Sequence, residues 1–321
     1  MMIAVVVSVA VIVPLWLGRA RPNANRVPAT EEPPFFVPEP VPVNPDVGLS
    51  RPFRGDVHPV LHGKTSLDVA AHWTEVSQGG RDRIEDRVSP SVYRLFSEMR
   101  RDVVLHRVYT ERTFSHLLPS TLESIGQVWE LDSDAVIDLL SQFHPRPSLE
   151  LVARGRRAGP DGAFAVLRAL SSTHLDILFR IHAEFDIAPN VWFTPACFWG
   201  RMIIDKTAGT VEHFHLWVPT EKPLNVHLTV RENIKGVVDN KRDIVRVEQM
   251  ELESANQKLP ETLDWSDSID MDLAEHKLKN AFYVFENINW VPWQQAREVA
   301  GSTSKPILAI VLWGALDDQS C

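Results

Sequence analysis

The stretch that decides the fold reads Lys305-Pro306-Ile307-Leu308-Ala309-Ile310-Val311-Leu312-Trp313-Gly314-Ala315-Leu316-Asp317-Asp318-Gln319-Ser320-Cys321. Its apolar run from Ile307 to Trp313 is rich in β-branched and aromatic side chains, which predicts a strand buried on both faces. A helix-like segment at residues 293–300 comes just before it. We therefore expect residues 261–321 to form the first, incomplete part of an α/β domain.

The composition is that of a globular protein. The chain has 321 residues, of which 44% are hydrophobic and 23% are charged, so it is long enough for two domains with sizeable cores. The net charge of −9 argues against nucleic acid as a partner, because phosphate binding requires clustered Lys and Arg. The 2 cysteines are too few for a disulfide framework or a cysteine zinc site.

The N-terminal residues predict a membrane anchor followed by a spacer. Residues 2–18 carry no charge and are just long enough to cross a bilayer, so we interpret residues 1–18 as a single-pass transmembrane anchor. A cleaved signal peptide is the alternative, although no basic region precedes the run and no clear cleavage site follows it. Arg19 and Arg21 would keep the body of the protein in the cytoplasm. Residues 19–54 form a proline-rich linker, which is expected to be stiff and extended.

The central part of the chain predicts an α+β fold. Residues 55–172 are interpreted as a helical region, because apolar residues recur at spacings of three and four, and 163–170 is interpreted as a further short helix. At residue 173 the apolar period changes to two. Residues 173–260 therefore predict a β-rich module, antiparallel because the connections are short.

Three histidines in this module are candidate metal ligands. His213 and His215 are two residues apart on a predicted strand and so share a face, and His227 lies on a predicted neighbouring strand. Imidazoles from adjacent strands can bind zinc or iron with an open position. The alternative is that all three are polar residues on the solvated face of a sheet.

The two cysteines have different surroundings. Cys197 lies among apolar residues and is interpreted as a buried, unreactive side chain. Cys321 follows a predicted buried strand and a polar loop, where a thioredoxin-type fold places the N-terminus of its second helix. Backbone N–H groups and the helix dipole at such a position lower the pKa of a thiol. The alternative is an ordinary C-terminal cysteine.

The segment Leu312–Cys321 resembles the sequence that leads into the redox motif of the selenoprotein N family, which reads Ser-Cys-selenocysteine-Gly. The resemblance covers roughly residues 173–321 and includes the segments 177–185, 193–196, 223–226 and 249–253. It implies a thioredoxin-like domain on a membrane-anchored protein that acts as a thiol-disulfide reductase on disulfide-containing protein substrates, regenerated by a thioredoxin-like reductant. It also implies that this domain is lumenal or periplasmic. The EF-hand of the vertebrate form has no counterpart here, so calcium sensing is not implied.

The resemblance assigns a role to Cys321 and suggests why the chain stops there. Cys321 would be the resolving partner of a selenocysteine encoded by an in-frame UGA codon, no other cofactor is expected, and this chain alone would be inactive. The competing hypothesis is a non-catalytic, membrane-tethered β module that binds a partner protein or a metal through His213, His215 and His227.

Overall fold

The computed structural model describes residues 3–6, 51–62, 66–151, 162–221, 224–234, 237–254, 263–283, 291–303 and 306–310. The chain divides into two compact units. The small unit joins residues 1–46 to residues 289–313, and the large unit joins residues 47–288 to residues 314–321. The described residues are mainly β-strand, so the predicted α+β fold was wrong.

A nine-stranded sheet is the main element of the large unit, and its strand pairs are antiparallel. Its strands are β3 (Ser66–Trp73), β4 (His106–Thr110), β6 (Val128–Glu130), β8 (Gly162–Leu170), β9 (His174–His182), β12 (Phe198–Asp205), β13 (Thr210–Trp217), β16 (Met250–Ser254) and β17 (Asp267–Ser268). Their order is β17-β8-β9-β12-β13-β16-β3-β4, and β6 also pairs with β8. The antiparallel pairing predicted for residues 173–260 is thus observed.

A second, five-stranded sheet has the order β15-β14-β11-β10-β7. Its strands are β7 (Pro147–Ser148), β10 (Glu184–Ala188), β11 (Val191–Pro195), β14 (Val226–Ile234) and β15 (Val237–Val245). A two-stranded sheet pairs β2 (Arg51–Val57) with β5 (Leu122–Ile125). The helices of this unit are α1 (Gln78–Glu85), α2 (Pro90–Glu98), α3 (Glu111–Ser115), α4 (Ser133–Leu140) and α5 (Met271–Phe282), and a 3-10 turn covers Met99–Asp102.

One aromatic cluster joins elements of the two larger sheets. The ring of Trp73 on β3 lies 5.1 Å from that of Phe193 on β11, and Phe143, after α4, stacks on Phe198 of β12 at 5.7 Å. Phe185 of β10 contacts all four of these residues. Aromatic pairs at such distances add to the free energy gained by burial. The two sheets therefore share a single hydrophobic core.

The predicted helical region at residues 55–172 was wrong. It contains helices α1 to α4, but it also supplies β3, β4, β6 and β8 to the nine-stranded sheet. Residues 163–170, predicted as a helix, lie in β8 between β6 and β9. Ala and Leu favour helices in isolation, but hydrogen bonding to two neighbouring strands and nearly complete burial outweigh a preference of a few tenths of a kcal/mol per residue.

The small unit contains a parallel pair of strands and a helix. β1 (Ile3–Val6) pairs with β18 (Ile307–Ile310), and α6 (Trp293–Thr303) contacts both strands. Ala296 of the helix is fully buried against Val299 and Ile307. A helix packed on parallel strands is the arrangement of an α/β layer, which agrees with the helix and strand predicted there.

The predicted transmembrane anchor at residues 1–18 was wrong where the structure describes it. Residues 3–6 form a strand in place of a helix, and residues 7–18 lie outside the described residues, as does the linker up to residue 50. None of the helices in the described ranges is long and apolar enough to cross a membrane. The last residues assigned to the linker, 51–54, belong to β2.

Candidate functional site

Cys321, the predicted redox residue, lies outside the described residues, as does the whole segment after residue 310. What the structure describes is the strand that leads towards it. β18 is hydrogen-bonded in parallel to β1, so this strand has a partner that sequence reasoning did not foresee. Cys197, by contrast, is 1% exposed in the core of the large unit, as predicted.

The nine-stranded sheet has one face that carries most of the charged and ring-bearing polar groups of its central strands. Residues directly opposite each other in an antiparallel sheet point to the same side. The register therefore places one set of side chains together, which we call the polar face: Asp176 and Arg180 of β9, Trp199 and Arg201 of β12, His213, His215 and Trp217 of β13, and Glu251 of β16.

Asp176 forms the centre of this polar face. Its carboxylate is fully buried and accepts hydrogen bonds from two arginines. Arg168 of β8 donates from Nε at 2.7 Å and from Nη2, and Arg201 donates from Nε at 3.1 Å and from Nη2 at 2.8 Å. The guanidinium of Arg168 also lies over the ring of Trp265, 5.6 Å from its centroid. A buried carboxylate requires such charge-assisted partners.

His213 and His215 lie side by side on this face, as their spacing predicted. Their ring centroids are 6.5 Å apart. His215 contacts Oε2 of Glu251 through Nε2 at 3.0 Å and stacks on the ring of Trp217 at 4.6 Å. The hydrogen bond with His215 is the main reason why the pKa of Glu251 is lowered. This pair thus has the geometry of a histidine held by a carboxylate.

His213 is in a different state from its neighbour. Its side chain is buried, and within the described residues its Nδ1 has no hydrogen-bond partner. Burial, with smaller contributions from Arg201 and His215, lowers the pKa of His213 to about 4. His213 is therefore neutral at physiological pH.

The structure places His227 away from these two histidines. It lies on β14 of the five-stranded sheet, opposite Thr194 of β11. The prediction that His227 lies on a strand adjacent to His213 and His215 was wrong, because β13 is flanked by β12 and β16. The three histidines therefore do not form the shared face on which the predicted metal site depended.

Arg180 is a buried cation that sequence reasoning had placed on a solvated face. It is fully buried, its Nε donates to Nε2 of His182 at 3.0 Å, and its guanidinium lies 5.1 Å from the centroid of Trp199. The ring centroids of Phe282 and Tyr283, at the end of α5, each lie 5.8 Å from the same guanidinium. Aromatic faces attract a guanidinium most strongly when water is excluded.

The charge state of His213 leads to a testable pH dependence. Its pKa in the folded protein, about 4, lies below the ordinary value of about 6.5, so the unfolded chain binds the proton more tightly. Stability from this group is therefore complete above pH 6.5 and is lost as the pH falls towards 4. When the pH is lowered from 7.5 to 4.5, the free energy of unfolding of the parent chain should therefore fall by about 2–3 kcal/mol more than that of His213→Gln.

Urea unfolding at the two pH values, monitored by circular dichroism, measures this difference. The groups that face His213 are Arg201, His215 and Asp176, so the comparison requires that they stay in place. His215→Gln is the matched control, because that ring bonds a carboxylate and is only half-buried. Equal pH dependence in the parent chain and in His213→Gln would show that His213 is protonated without penalty.

The matches found by comparison with known proteins include three relatives of one kind. The chain is 34% identical over 212 residues to selenoprotein N of Danio rerio, an alignment that covers 57% of this chain and 37% of that protein. The identity to selenoprotein N of Mus musculus is 33% over 212 residues, with the same coverage, and to that of Homo sapiens it is 34%, with 35% of the human protein covered. Over the aligned residues the chain is therefore similar to selenoprotein N of all three organisms.

These matches confirm the resemblance to the selenoprotein N family seen in the sequence. The chain spans just over a third of the length of these selenoprotein N relatives. No protein-family model matches it, and no solved structure matches it either.

Sequence reasoning missed the ionic part of the polar face. Asp176 and Arg180 were interpreted as the solvated side of an alternating strand, but β9 is buried on both faces, and only His174 at its start is partly exposed. The signal that could have revealed these ion pairs is the presence of oppositely charged residues at similar positions along neighbouring strands. Arg168 and Arg201 lie 8 and 25 residues from Asp176, so the ion pairs become visible only once the strand order is known.

Proposed function

We propose that this protein, in its full-length form, is a thiol-disulfide oxidoreductase of the selenoprotein N type in which Cys321 is one half of a Cys-selenocysteine pair. The similarity to selenoprotein N of three organisms supports the proposal. So does the resemblance of Leu312–Cys321 to the family segment before the redox motif. The parallel strands β1 and β18, packed against α6, are consistent with the α/β layer that such a segment would extend.

The chemistry proposed for Cys321 is resolution of a mixed selenosulfide. Attack of the selenolate on a substrate disulfide forms an Se–S bond and releases one substrate thiolate. The Cys321 thiolate then attacks the selenium, forms an S–Se bond within the protein and releases the second substrate thiolate. The substrate gains two electrons, and a thioredoxin-like dithiol restores the pair by the same exchange. Disulfide-containing proteins are thus the proposed substrates.

The first test is the codon that follows Cys321 in the genome. We expect UGA, followed by an open frame that encodes Gly and the remainder of an α/β domain. A UAA or UAG codon, or a sense codon followed by an unrelated sequence, would contradict the proposal.

The second test measures turnover of a protein disulfide by the extended protein with thioredoxin as reductant. Cys321→Ser is expected to lower turnover by at least about 100-fold, because the resolving thiolate is lost. Cys197→Ala is the control, because Cys197 is buried in the core and has no part in the proposed chemistry. Turnover that survives in Cys321→Ser would remove this residue from the mechanism. The 321-residue chain is expected to show no turnover.

A further inference from the structure

Three potential metal ligands meet at one end of the nine-stranded sheet. His174 lies at the start of β9, Asp205 at the end of β12 and Glu212 near the start of β13. Nε2 of His174 is 2.9 Å from Oε2 of Glu212, and one ligand atom from each of the three residues lies within 4.8 Å of the others. All three residues are partly buried. No other group of three or more His, Cys, Asp and Glu residues in the described ranges meets this distance.

The backbone explains why Glu212 joins this group. Asp205 and His174 are directly opposite each other, so their side chains leave the sheet on the same side. Simple alternation would put Glu212 on the opposite side, with Phe214. The register between β12 and β13 shifts between Ile203 and Ile204, which leaves Glu212 as the extra residue of a β-bulge. Bulges redirect a side chain in this way and are frequent at functional sites.

Neighbouring groups hold two of the three ligands in place. Nδ1 of His174 is 2.8 Å from Oγ1 of Thr173, which leaves Nε2 directed at Glu212. Histidine ligands of metals usually have their second ring nitrogen hydrogen-bonded in this manner. Oδ1 of Asp205 accepts hydrogen bonds from the backbone N–H groups of Thr207 and Ala208, at 2.6 and 3.0 Å. The carboxylate is therefore fixed by the turn that follows it.

We propose that His174, Asp205 and Glu212 bind one divalent transition metal ion, with zinc preferred. Zinc sites with three protein ligands and an open fourth position use nitrogen and oxygen donors at about 2.0–2.2 Å, which corresponds to about 3.4 Å between ligand atoms in a tetrahedron. Nε2 of His174 and Oε2 of Glu212 are 2.9 Å apart, and all three ligand atoms lie within 4.8 Å of one another, so small side-chain rotations are sufficient to reach this spacing.

The ligand types select among metals. The imidazole disfavours calcium and magnesium, which prefer oxygen ligands alone. Among first-row divalent ions with such ligands, zinc binds more tightly than manganese or iron. The alternative is that His174 and Glu212 form an ordinary ion pair and that Asp205 only caps a turn.

The same sheet provides an internal control for that alternative. His215 and Glu251 contact each other at 3.0 Å through the same atom types, Nε2 and Oε2, and both are partly buried. The described residues supply no third ligand within range of this second pair. A histidine-carboxylate pair without the third ligand is thus present in the same molecule.

The experiment is isothermal titration calorimetry of the metal-free 321-residue chain with zinc chloride. The variants are chosen to preserve local hydrogen bonds. Glu212→Gln can still bond His174, and Asp205→Asn retains an oxygen for Thr207 and Ala208. We expect one zinc per parent chain, at least about 10-fold weaker binding in each of these variants, and loss of binding in His174→Ala. Glu251→Gln and Cys321→Ser should bind zinc as the parent does.

Three outcomes would overturn the proposal. The first is that the parent chain does not bind zinc stoichiometrically. The second is that both Glu212→Gln and Asp205→Asn bind zinc as tightly as the parent. The third is that Glu251→Gln or Cys321→Ser loses as much zinc affinity as the ligand variants do. Far-UV circular dichroism of each variant checks that it is folded. A visible absorption band of the cobalt-loaded parent that is missing in Asp205→Asn would provide a readout independent of affinity. The proposed zinc ligands do not include Cys321 or the proposed selenocysteine, so the codon after Cys321 does not bear on this test.

Discussion

Replacement of Gly200 by alanine is expected to lower the free energy of unfolding by at least about 3 kcal/mol. Gly200 lies in the middle of β12, between β9 and β13, and Phe179 is directly opposite it on β9. An added Cβ atom would overlap the ring of Phe179. That ring is 1% exposed and stacks on Phe214, so it has no space to move into. A methyl group at this position must therefore displace a central strand or a packed ring.

Urea unfolding of Gly200→Ala measures this effect, and two further variants test its cause. Gly79→Ala is the matched control, because nothing lies within 4 Å of its Cβ position and helix α1 gains a better helix former. It should be neutral or slightly stabilising. In a Phe179→Leu background the cost of Gly200→Ala should shrink, because the smaller side chain vacates the overlapped volume. A loss below about 1 kcal/mol in the parent background would contradict the proposed close packing.

The sequence predicted local structure well where one pattern dominated. Helices α2 and α6, and the strands between residues 173 and 254, follow the apolar periods of the sequence. β8 was missed because an Ala- and Leu-containing run of eight residues fits a buried helix as well as a buried strand. β1 was misinterpreted for a similar reason: an uncharged apolar segment suits a bilayer, but four of its residues pair with β18. Both cases depend on partners far away in sequence.

The candidate sites show the same limit. The spacing of His213 and His215 was enough to place both on one face, since two-residue alternation is a local property. The partners of these residues were not predictable, because they depend on strand order. Glu251 reaches His215 only because β16 lies beside β13, and His227 is not on a neighbouring strand because β14 belongs to the other sheet. Glu212 meets His174 through a bulge, which has no sequence signature here.

Replacement of Asp176 by asparagine is expected to cost about 3–5 kcal/mol of unfolding free energy. The carboxylate is fully buried, whereas the side chains of Arg168 and Arg201 are 13% and 25% exposed. Asparagine has nearly the same shape, so packing changes little, but the negative charge disappears. Two guanidinium groups then remain close together at low exposure without an anion, and their repulsion and desolvation are no longer offset.

Glu75 offers a matched comparison, because it also contacts two arginines, Arg81 and Arg100, but is 52% exposed. Water and salt screen such a cluster, so Glu75→Gln should cost only about 0–1 kcal/mol. The two variants remove the same charge from the same kind of cluster and differ mainly in burial. The experiment is urea unfolding at low salt and at 0.5 M salt. The higher salt concentration should reduce the small stability loss of Glu75→Gln, but not that of Asp176→Asn.

A double mutant distinguishes unpaired charge from lost packing at Asp176. If the unpaired guanidinium groups cause the loss, Asp176→Asn should cost less when Arg201 is first changed to Gln, because one of the two cations is already gone. If Asn fails for steric reasons, the cost should be the same in both backgrounds. Equal losses in Asp176→Asn and Glu75→Gln would mean that water reaches the arginines in the folded state. The polar face would then be held by packing, with the ion cluster contributing little.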